Sequence, residues 1–223
     1  MTPLIAGLLA VAVAVAISPL SIVAVIIMAT SGKGRTNGSA FIAGSSAFMI
    51  GFLLTLVLLG RTAEADDAES GAHIAVDVVE ILLGCALLGL AVLQWRRRSR
   101  TTHPAWLRGI DEMTIPKAFL LGVLLAGPLS PKDLPLLVAA GGQISQASLA
   151  AAEIAAVILV FVLISLSAVA VPWLVSVIAP GGVERRLSGA RQWLLTNHST
   201  IMTVLFLVLG AKLIGSGVVD LTT

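Results

Sequence analysis

The amino-acid sequence predicts an all-α integral membrane protein in which six transmembrane helices form an inverted repeat of three plus three. Its 223 residues are 57% hydrophobic and 12% charged, with a mean hydropathy of +1.02, whereas about 25% of the residues in a soluble domain are charged. Basic residues are concentrated in alternate loops, which is typical of multi-pass membrane proteins. Two short residue patterns also recur in the same order in both halves. The composition excludes a soluble or a disordered chain.

Six apolar segments are each long enough to cross a bilayer, which takes about 20 helical residues. They are residues 3–30, 38–60, 74–95, 116–142, 149–178 and 199–219. Because no basic residue precedes the first segment, we interpret it as a retained span and not as a signal peptide. In the second span, Ala43, Ala47 and Gly51 recur every four residues, which predicts a close helix-packing face.

The loop charges predict the orientation of the chain. Lysine and arginine are concentrated in the first, third and fifth loops, whereas the second loop is acidic and the fourth is uncharged. Because basic loops face the cytoplasm, both termini are expected outside a bacterial plasma membrane. Residues 96–115 then form a basic cytoplasmic linker between the two halves, residues 1–95 and 116–223. Residues 183–195 have apolar positions at helical spacing, which predicts either an amphipathic helix in the inner interface or a solvated basic loop.

The two halves share an internal repeat. The matched residues are Ser18-Pro19 with Ser130-Pro131, at a shift of 112 residues, and Gly84 and Gly89 with Gly210 and Gly215, at a shift of 126. The alternative is chance, because short matches arise easily in a chain rich in Ala, Leu and Gly. Since each half contains an odd number of spans, a true repeat must be inverted, as in many transporters with broken helices.

Prolines predict that helices 1 and 4 are broken near the middle of the membrane. The fourth span contains the stretch GPLSPKDLPLL, residues 127–137, and the first span contains Pro19. Proline removes a backbone donor and clashes with the preceding turn, so Pro128, Pro131 and Pro135 should unwind the fourth span. Irregular backbone at this depth must be buried in protein or line a cavity.

The two breaks define the predicted substrate or coupling site, because inverted-repeat transporters bind substrate between broken helices. The residues of this site are Ser18, Pro19, Ser130, Pro131, Lys132 and Asp133. A charge at the bilayer centre costs about 2.5–3.5 kcal/mol on insertion scales, which makes Lys132 and Asp133 functional candidates. The alternative is an ion pair that satisfies two buried groups and holds the break in shape.

Four charged residues towards the outer side are secondary candidates: Asp77, Glu80, Glu153 and Lys212. Glu80 and Lys212 are expected at similar depths in the third and sixth spans, which permits contact between them. The acidic residues are compatible with an outer vestibule for a cation. The alternative is ordinary solvation of the acids and snorkelling of the lysine towards the interface.

Several classes of chemistry lack the residues that they need. The three histidines, His73, His103 and His198, lie in loops or at span ends, so we expect no buried metal site. The sequence contains no phosphate-binding glycine loop and no serine with an intramembrane histidine to activate it. The single cysteine, Cys85, cannot form an intramolecular disulfide. We therefore expect no enzyme activity, no cofactor and no nucleic-acid partner.

Seven stretches carry a family resemblance through their order along the chain: ISPLSIVAVI, GKGRTNGSAFIAG, HPAW, LSPKDLPLLVAAG, VFVLIS, VPWLV and ARQWLLTNHSTIM. They resemble the GAP/Sap family, small actinobacterial membrane proteins that address glycolipids to the cell surface, within the lysine-exporter (LysE) superfamily. The resemblance implies six spans in an inverted arrangement. It also implies a role in bringing glycopeptidolipids or sulfolipids to the surface, alongside larger lipid exporters.

The fourth span matches the family motif only in part. That motif usually reads Asn-Pro-Lys-Asn, so Pro131 and Lys132 match it, whereas Ser130 and Asp133 depart from it. The change at Asp133 places an acid beside the lysine. Substrate preference and proton coupling therefore do not follow from the resemblance, and the superfamily also contains exporters of amino acids and of metal ions.

Three functions are compatible with these features. The first is a transporter or translocation factor that exports an amphiphilic (glyco)lipid or addresses it to the surface. In this case Lys132 would hold an anionic or polar head group and Asp133 would couple transport to protons. The second is a LysE-type exporter of a small solute or cation. The third is a non-transporting partner that docks onto a larger lipid exporter. Membrane lipids surround the chain in each case, and a homo-oligomer is left open.

Overall fold

The protein is helical throughout the part of the chain that the structure describes. This structure, a computed structural model, describes residues 2–31, 33–64, 69–97, 109–110, 113–130, 132–178 and 183–222, with the backbone alone at some helix ends and at residues 69–80. These residues form no strand, and their helices are α1 (Thr2–Ala16), α2 (Pro19–Thr30), α3 (Gly34–Glu64), α4 (Glu69–Arg97), α5 (Ile115–Ala126), α6 (Asp133–Ser145), α7 (Ala151–Ile178) and α8 (Val183–Thr222).

The helices are those of a membrane protein. Three described segments are long and apolar enough to cross a membrane: Gly34–Arg61, Ala151–Ile178 and Leu187–Gly215. Together, α1 and α2 make a fourth such span if the pair, bent by 52°, counts as one. Two further apolar stretches are shorter: Ile81–Arg96, which is the part of α4 with described side chains, and Ile115–Ala126, which is α5.

The last helix begins earlier than the sequence predicts. The predicted amphipathic segment 183–195 is helical, but it continues directly into the predicted last span, 199–219, as one helix of 40 residues. The segment is therefore the first part of α8 and not a separate helix. As a consequence, His198 lies within a helix and not in a loop.

Close backbone contacts join α4 to α8. A Cβ atom on Gly84 would lie 2.9 Å from the Gly210 carbonyl oxygen, and one on Gly210 would lie 2.8 Å from the Gly84 carbonyl oxygen. Glycine at these two positions allows the helices to approach closely. Gly89 and Gly215, the other matched pair, have no atom within 4 Å of such a Cβ. The contact between α4 and α8 is therefore reciprocal and centred on one pair of glycines.

A second close contact joins α3 to α5. A Cβ atom on Gly44 would lie 2.1 Å from the Phe119 carbonyl oxygen, and one on Gly122 would lie 2.2 Å from the Phe41 carbonyl oxygen. The Ser45 hydroxyl also donates to the Gly122 carbonyl oxygen at 3.1 Å. The predicted packing face of Ala43, Ala47 and Gly51 is wrong, because these three residues are exposed. The spacing was right, but the contact face lies one residue further along the helix.

Several helix contacts of the two halves correspond to one another, whereas the packing of α2 on α3 has no counterpart of similar extent between α6 and α7. The correspondence appears when α1 and α2 are matched with α5 and α6, α3 with α7, and α4 with α8. Then α1 packs on α7 as α5 packs on α3, and α2 packs on α7 as α6 packs on α3. The α4–α8 and α3–α7 contacts each join a helix to its own counterpart in the other half.

Polar contacts at the two ends of α3 give the relative directions of the helices. The Arg35 guanidinium donates to the Val177 carbonyl oxygen at 3.1 Å, so the start of α3 meets the end of α7. The Trp173 indole N–H donates back to the Arg35 carbonyl oxygen at 3.1 Å. At the other end, Arg61 donates to the Leu149 carbonyl oxygen at 2.6 Å. Hence α3 runs antiparallel to α7.

Candidate functional site

The first break separates α1 from α2 at Ile17 and Ser18. The Ser18 N–H donates to the Ala16 carbonyl oxygen at 2.8 Å, and Pro19 has no N–H to donate. In a continuous helix these two residues would donate to the carbonyls of Ala14 and Val15. The break therefore leaves the Ala14 and Val15 carbonyls without their helical partners.

The second break, residues 127–132, separates α5 from α6. The Leu129 N–H donates to the Leu124 carbonyl oxygen at 2.8 Å, which replaces the bond that Pro128 cannot make. Pro135 does not unwind the chain as predicted, because it lies in the first turn of α6, where a backbone donor is not needed. Pro131 lies outside the described residues.

Lys132 joins the two breaks. Its side chain is 0% exposed, and its ammonium donates to the carbonyl oxygens of Ala14 and Val15, at 3.1 Å each, and to the Asp133 carboxylate. A lysine ammonium has three donors, so all of them are used. The two acceptors that the first break frees are thus satisfied by a cation from the second.

Helix dipoles favour both members of this buried pair. Lys132 binds at the carboxyl end of α1, where a positive charge is favoured, and Asp133 opens α6, where a negative charge is favoured. Asp133 is only 2% exposed, and its backbone N–H donates to the Ser130 carbonyl oxygen at 3.2 Å. The ammonium has no donor left for a head group in this conformation. The geometry therefore matches the alternative interpretation of an ion pair that holds the break in shape.

A cavity of about 210 Å³ opens beside both breaks. The residues that line this break cavity are Ser18, Leu20, Leu90, Leu93, Gln94, Leu125, Leu129, Ser130, His198, Met202 and Phe206. It thus contains the matched serines of the two halves, together with residues of α4 and α8. Lys132 and Asp133 do not line it, but Ser130 does, and the Ser130 carbonyl oxygen accepts a hydrogen bond from the Asp133 N–H.

The polar groups of the break cavity are uncharged side chains and one histidine. The Ser18 hydroxyl lies 3.1 Å from the Ser21 hydroxyl. His198 Nδ1 is buried and has no hydrogen-bond partner within the described chain. His198 was not predicted as a site residue, because the predicted last span begins at residue 199. The spacing of His198, Met202 and Phe206, four residues apart along one helix face, could have placed all three together.

Comparison with protein families identifies the chain. The family model described as Sap, sulfolipid-1-addressing protein, matches residues 8–219, which include both breaks and every residue of the break cavity. This chain belongs to the Sap family. No curated protein and no solved structure matches it. Membership in the Sap family confirms the resemblance that the ordered motifs indicated.

The secondary candidates of this Sap-family protein do not gather at one place among the described side chains. The side chains of Asp77 and Glu80 lie outside the described residues. Glu153 is exposed and accepts a hydrogen bond from the Ala150 N–H at 2.8 Å, as a residue in the first turn of α7 does when it caps the helix. Lys212 is exposed and borders a separate, mostly apolar groove. Among described residues, no group of three or more His, Cys, Asp or Glu could hold a metal ion.

Proposed function

We propose that this Sap-family protein is a membrane translocation factor that brings an amphiphilic glycolipid to the cell surface. The break cavity carries the proposal, because its wall combines leucine, methionine and phenylalanine side chains with uncharged polar groups. Ligand sites commonly pair a mainly apolar lining with a few polar groups that orient the ligand. An amphiphile, which has an apolar and a polar part, suits such a wall.

The proposed architecture is six passes of the membrane in an inverted three-plus-three repeat of the LysE type. The passes are α1 with α2, α3, α4, α5 with α6, α7, and α8. Three observations support it: the reciprocal contact of Gly84 with Gly210, the corresponding helix contacts of the two halves, and a break in each half. Transporters with this plan bind substrate at the interface of the repeats, beside the broken helices.

The proposed setting is a bacterial plasma membrane with both termini outside. Arg35 meets Val177 at the end of the molecule that carries the basic first and fifth loops. The first loop leads into α3, and the fifth loop comes after α7. Basic loops remain in the cytoplasm. The opposite end, where Arg61 meets Leu149, is then the outer one.

In this proposal the Lys132–Asp133 pair couples the cavity to the helix breaks and does not bind the head group. Ser130 lies in the cavity wall, and its carbonyl oxygen accepts a hydrogen bond from the Asp133 N–H. Asp133 pairs with Lys132, and Lys132 binds the end of α1. Any movement of α1 away from α6 must break the bonds of the ammonium to Ala14 and Val15. Occupation of the cavity can therefore influence how the two halves meet.

A cavity-filling variant tests the proposal. Leu129 lines the cavity and is 51% exposed, so Leu129→Trp can fill the space at a small folding cost. Leu120→Trp is the matched control, because Leu120 is 55% exposed on the same broken span and does not line the cavity. The measurement is the surface glycolipid profile of a strain that lacks the gene and expresses each variant at equal membrane level. Wild type and Leu120→Trp should restore the lipid, and Leu129→Trp should not. Full restoration by Leu129→Trp would contradict the proposal.

A flux measurement separates this function from export of a small solute or cation. No described residue that lines the break cavity is an aspartate, glutamate, lysine or arginine, which favours a lipid over a cation. Liposomes that contain the purified protein should release a trapped fluorescent cation no faster than protein-free liposomes. Faster release would favour the cation exporter. If Leu129→Trp retains surface lipid and the liposomes show no cation flux, the results would favour a non-transporting partner of a larger lipid exporter.

A further inference from the structure

His198 is half-buried, and one of its ring nitrogens, Nδ1, is a buried polar atom for which the described part of the chain provides no partner. Its Nδ1 has no hydrogen-bond partner in the described chain, and its ring lines the break cavity. Buried polar side-chain atoms are usually hydrogen-bonded, so an orphan nitrogen at a cavity wall needs an explanation. A ligand in the cavity that offers a hydrogen-bonding group would supply the missing partner.

The surrounding groups define the chemistry of that ligand. Gln94, Ser18 and Ser130 line the same cavity, and each of their side chains can both donate and accept a hydrogen bond. A neutral imidazole likewise has one donor and one acceptor nitrogen. A hydroxyl group also donates and accepts, so several hydroxyls on one ligand can satisfy this set without leaving a mismatched pair.

The cavity wall disfavours an anionic head group. Burial of a charged group such as a sulfate or phosphate is costly unless a counter-charge pairs with it. No lysine or arginine is among the described residues that line the cavity, and the ammonium of the nearby Lys132 is fully used by Ala14, Val15 and Asp133. The volume of about 210 Å³ is also below the roughly 300–1,000 Å³ of typical sites for whole ligands. The site therefore suits one part of an amphiphile.

We propose that His198, Gln94, Ser18 and Ser130 form a subsite for an uncharged, hydroxyl-rich sugar ring. This subsite rests on the proposed lipid function and specifies which part of the lipid the break cavity takes. The ring hydroxyls bond to the four polar side chains. The apolar chains leave past Leu129, which is half exposed at the cavity edge.

The test uses the purified full-length protein in lipid nanodiscs and two photoreactive probes. One probe is an alkyl glucoside and the other is an alkyl sulfate with the same alkyl chain. The variants are His198→Phe, which keeps a ring but removes Nδ1, and Asn197→Leu as a control. Asn197 is the neighbouring polar residue of α8, it bonds to the Trp193 carbonyl oxygen, and it does not line the cavity.

The expected result is saturable labelling by the glucoside that His198→Phe weakens about three- to tenfold, the effect of one hydrogen bond. Asn197→Leu should leave the affinity unchanged, and the sulfate should show no saturable labelling. Equal or tighter binding of the sulfate would overturn the uncharged subsite. An unchanged glucoside affinity in His198→Phe would overturn the assignment of His198.

A second measurement covers the case in which His198→Phe does not fold. In wild-type protein with ¹⁵N-labelled histidine, the glucoside should shift the His198 Nδ1 resonance, and an unmoved resonance would overturn the subsite. The outcomes also separate this inference from the proposed function. If the glucoside does not reach His198 but Leu129→Trp still abolishes surface lipid, the subsite fails and the translocation factor stands. If Leu129→Trp restores surface lipid, the proposed function fails whatever the probes show.

Discussion

The two helix breaks are matched in sequence but differ in what they contribute. The first break is short, uncharged, and leaves main-chain carbonyls of α1 without helical partners. The second break is longer and supplies a buried lysine. At the repeat shift of 112 residues, Lys132 and Asp133 correspond to Leu20 and Ser21 in the first half.

The difference shows that the two halves complement each other. The Ser18 hydroxyl lies 3.1 Å from the Ser21 hydroxyl, and the residue that corresponds to Ser21 in the second half is Asp133. Only the second half has charged residues at these matched positions, namely Lys132 and Asp133. The Lys132 ammonium satisfies the carbonyl acceptors of the first half. One cation thus serves both breaks, which explains why a second lysine is not needed.

The largest expected effect comes from removing this cation. Lys132→Met leaves the Asp133 carboxylate buried without a counter-charge and frees the Ala14 and Val15 carbonyls. Loss of one partner of a buried ion pair costs about 3–5 kcal/mol of stability. Equilibrium unfolding in mixed micelles measures the change in the free energy of unfolding.

The double variant Lys132→Met/Asp133→Leu is the control for that experiment. Replacement of a whole buried pair by apolar residues is often close to neutral, so the double variant should recover most of the lost stability. The two carbonyls of α1 stay unsatisfied, so recovery should be incomplete. A double variant that is less stable than Lys132→Met would contradict the ion pair of Lys132 with Asp133.

A medium effect is expected at the contact that joins the two halves. In Gly84→Ala the new methyl group would lie 2.7 Å from an Ile214 side-chain atom and 2.9 Å from the Gly210 carbonyl oxygen. Overpacking of this kind costs about 1–3 kcal/mol. Gly89→Ala is the matched control on the same helix, because its methyl group meets no atom within 4 Å. Equal unfolding free energies of the two variants would show that α4 and α8 do not pack at this pair.

A smaller effect is expected from Pro19→Ala at the first break. Exchange of a compatible proline for alanine costs about 0.4–1 kcal/mol through the unfolded chain. The new N–H can also bond to the Val15 carbonyl and so compete with Lys132. Surface glycolipid should therefore fall in complemented cells. Pro116→Ala, at the start of α5 and away from both breaks, is the control and should restore the lipid fully.

The smallest effect is expected at Glu153, outside both breaks. Glu153→Ala removes the acceptor for the Ala150 N–H and a favourable charge at the start of α7, which should cost about 0.3–1 kcal/mol. Surface glycolipid should stay at the wild-type level in the complemented strain. Loss of the lipid at unchanged protein level would instead support a functional acidic vestibule on the outer side.

Proline chemistry made the helix breaks predictable, but position within the helix decided which prolines matter. Pro19 breaks the chain as predicted, whereas Pro135 falls in a first helical turn and is accommodated there. The pairing of Lys132 with Asp133 was one of two open interpretations. The Lys132 ammonium also binds the carbonyl oxygens of Ala14 and Val15, which are main-chain atoms. The sequence indicates such acceptors only through Pro19, which lacks the N–H that would bond to one of them.

The cavity was harder to predict than the breaks. Ser18 and Ser130 were both named from the repeat, and both line it. His198 and Gln94 were not predicted as site residues. The hydropathy boundary excluded the first turns of α8, and the contact of α4 with α8 is made over a long sequence distance. Hydropathy marks where lipid surrounds a helix, but it does not mark where a polar residue faces another helix.

The most direct test of a lipid in the break cavity is photocrosslinking from its wall in living cells. A photoreactive aliphatic diazirine amino acid similar in size to leucine, which leaves the cavity open, is placed at the position of Leu129, which lines the cavity, or of Leu120, which does not. Mass spectrometry then identifies the lipid attached to each protein. The expected result is a surface glycolipid adduct at position 129 and only bulk membrane lipids at position 120. The same lipids in the same proportions at both positions would contradict the cavity as the site of translocation.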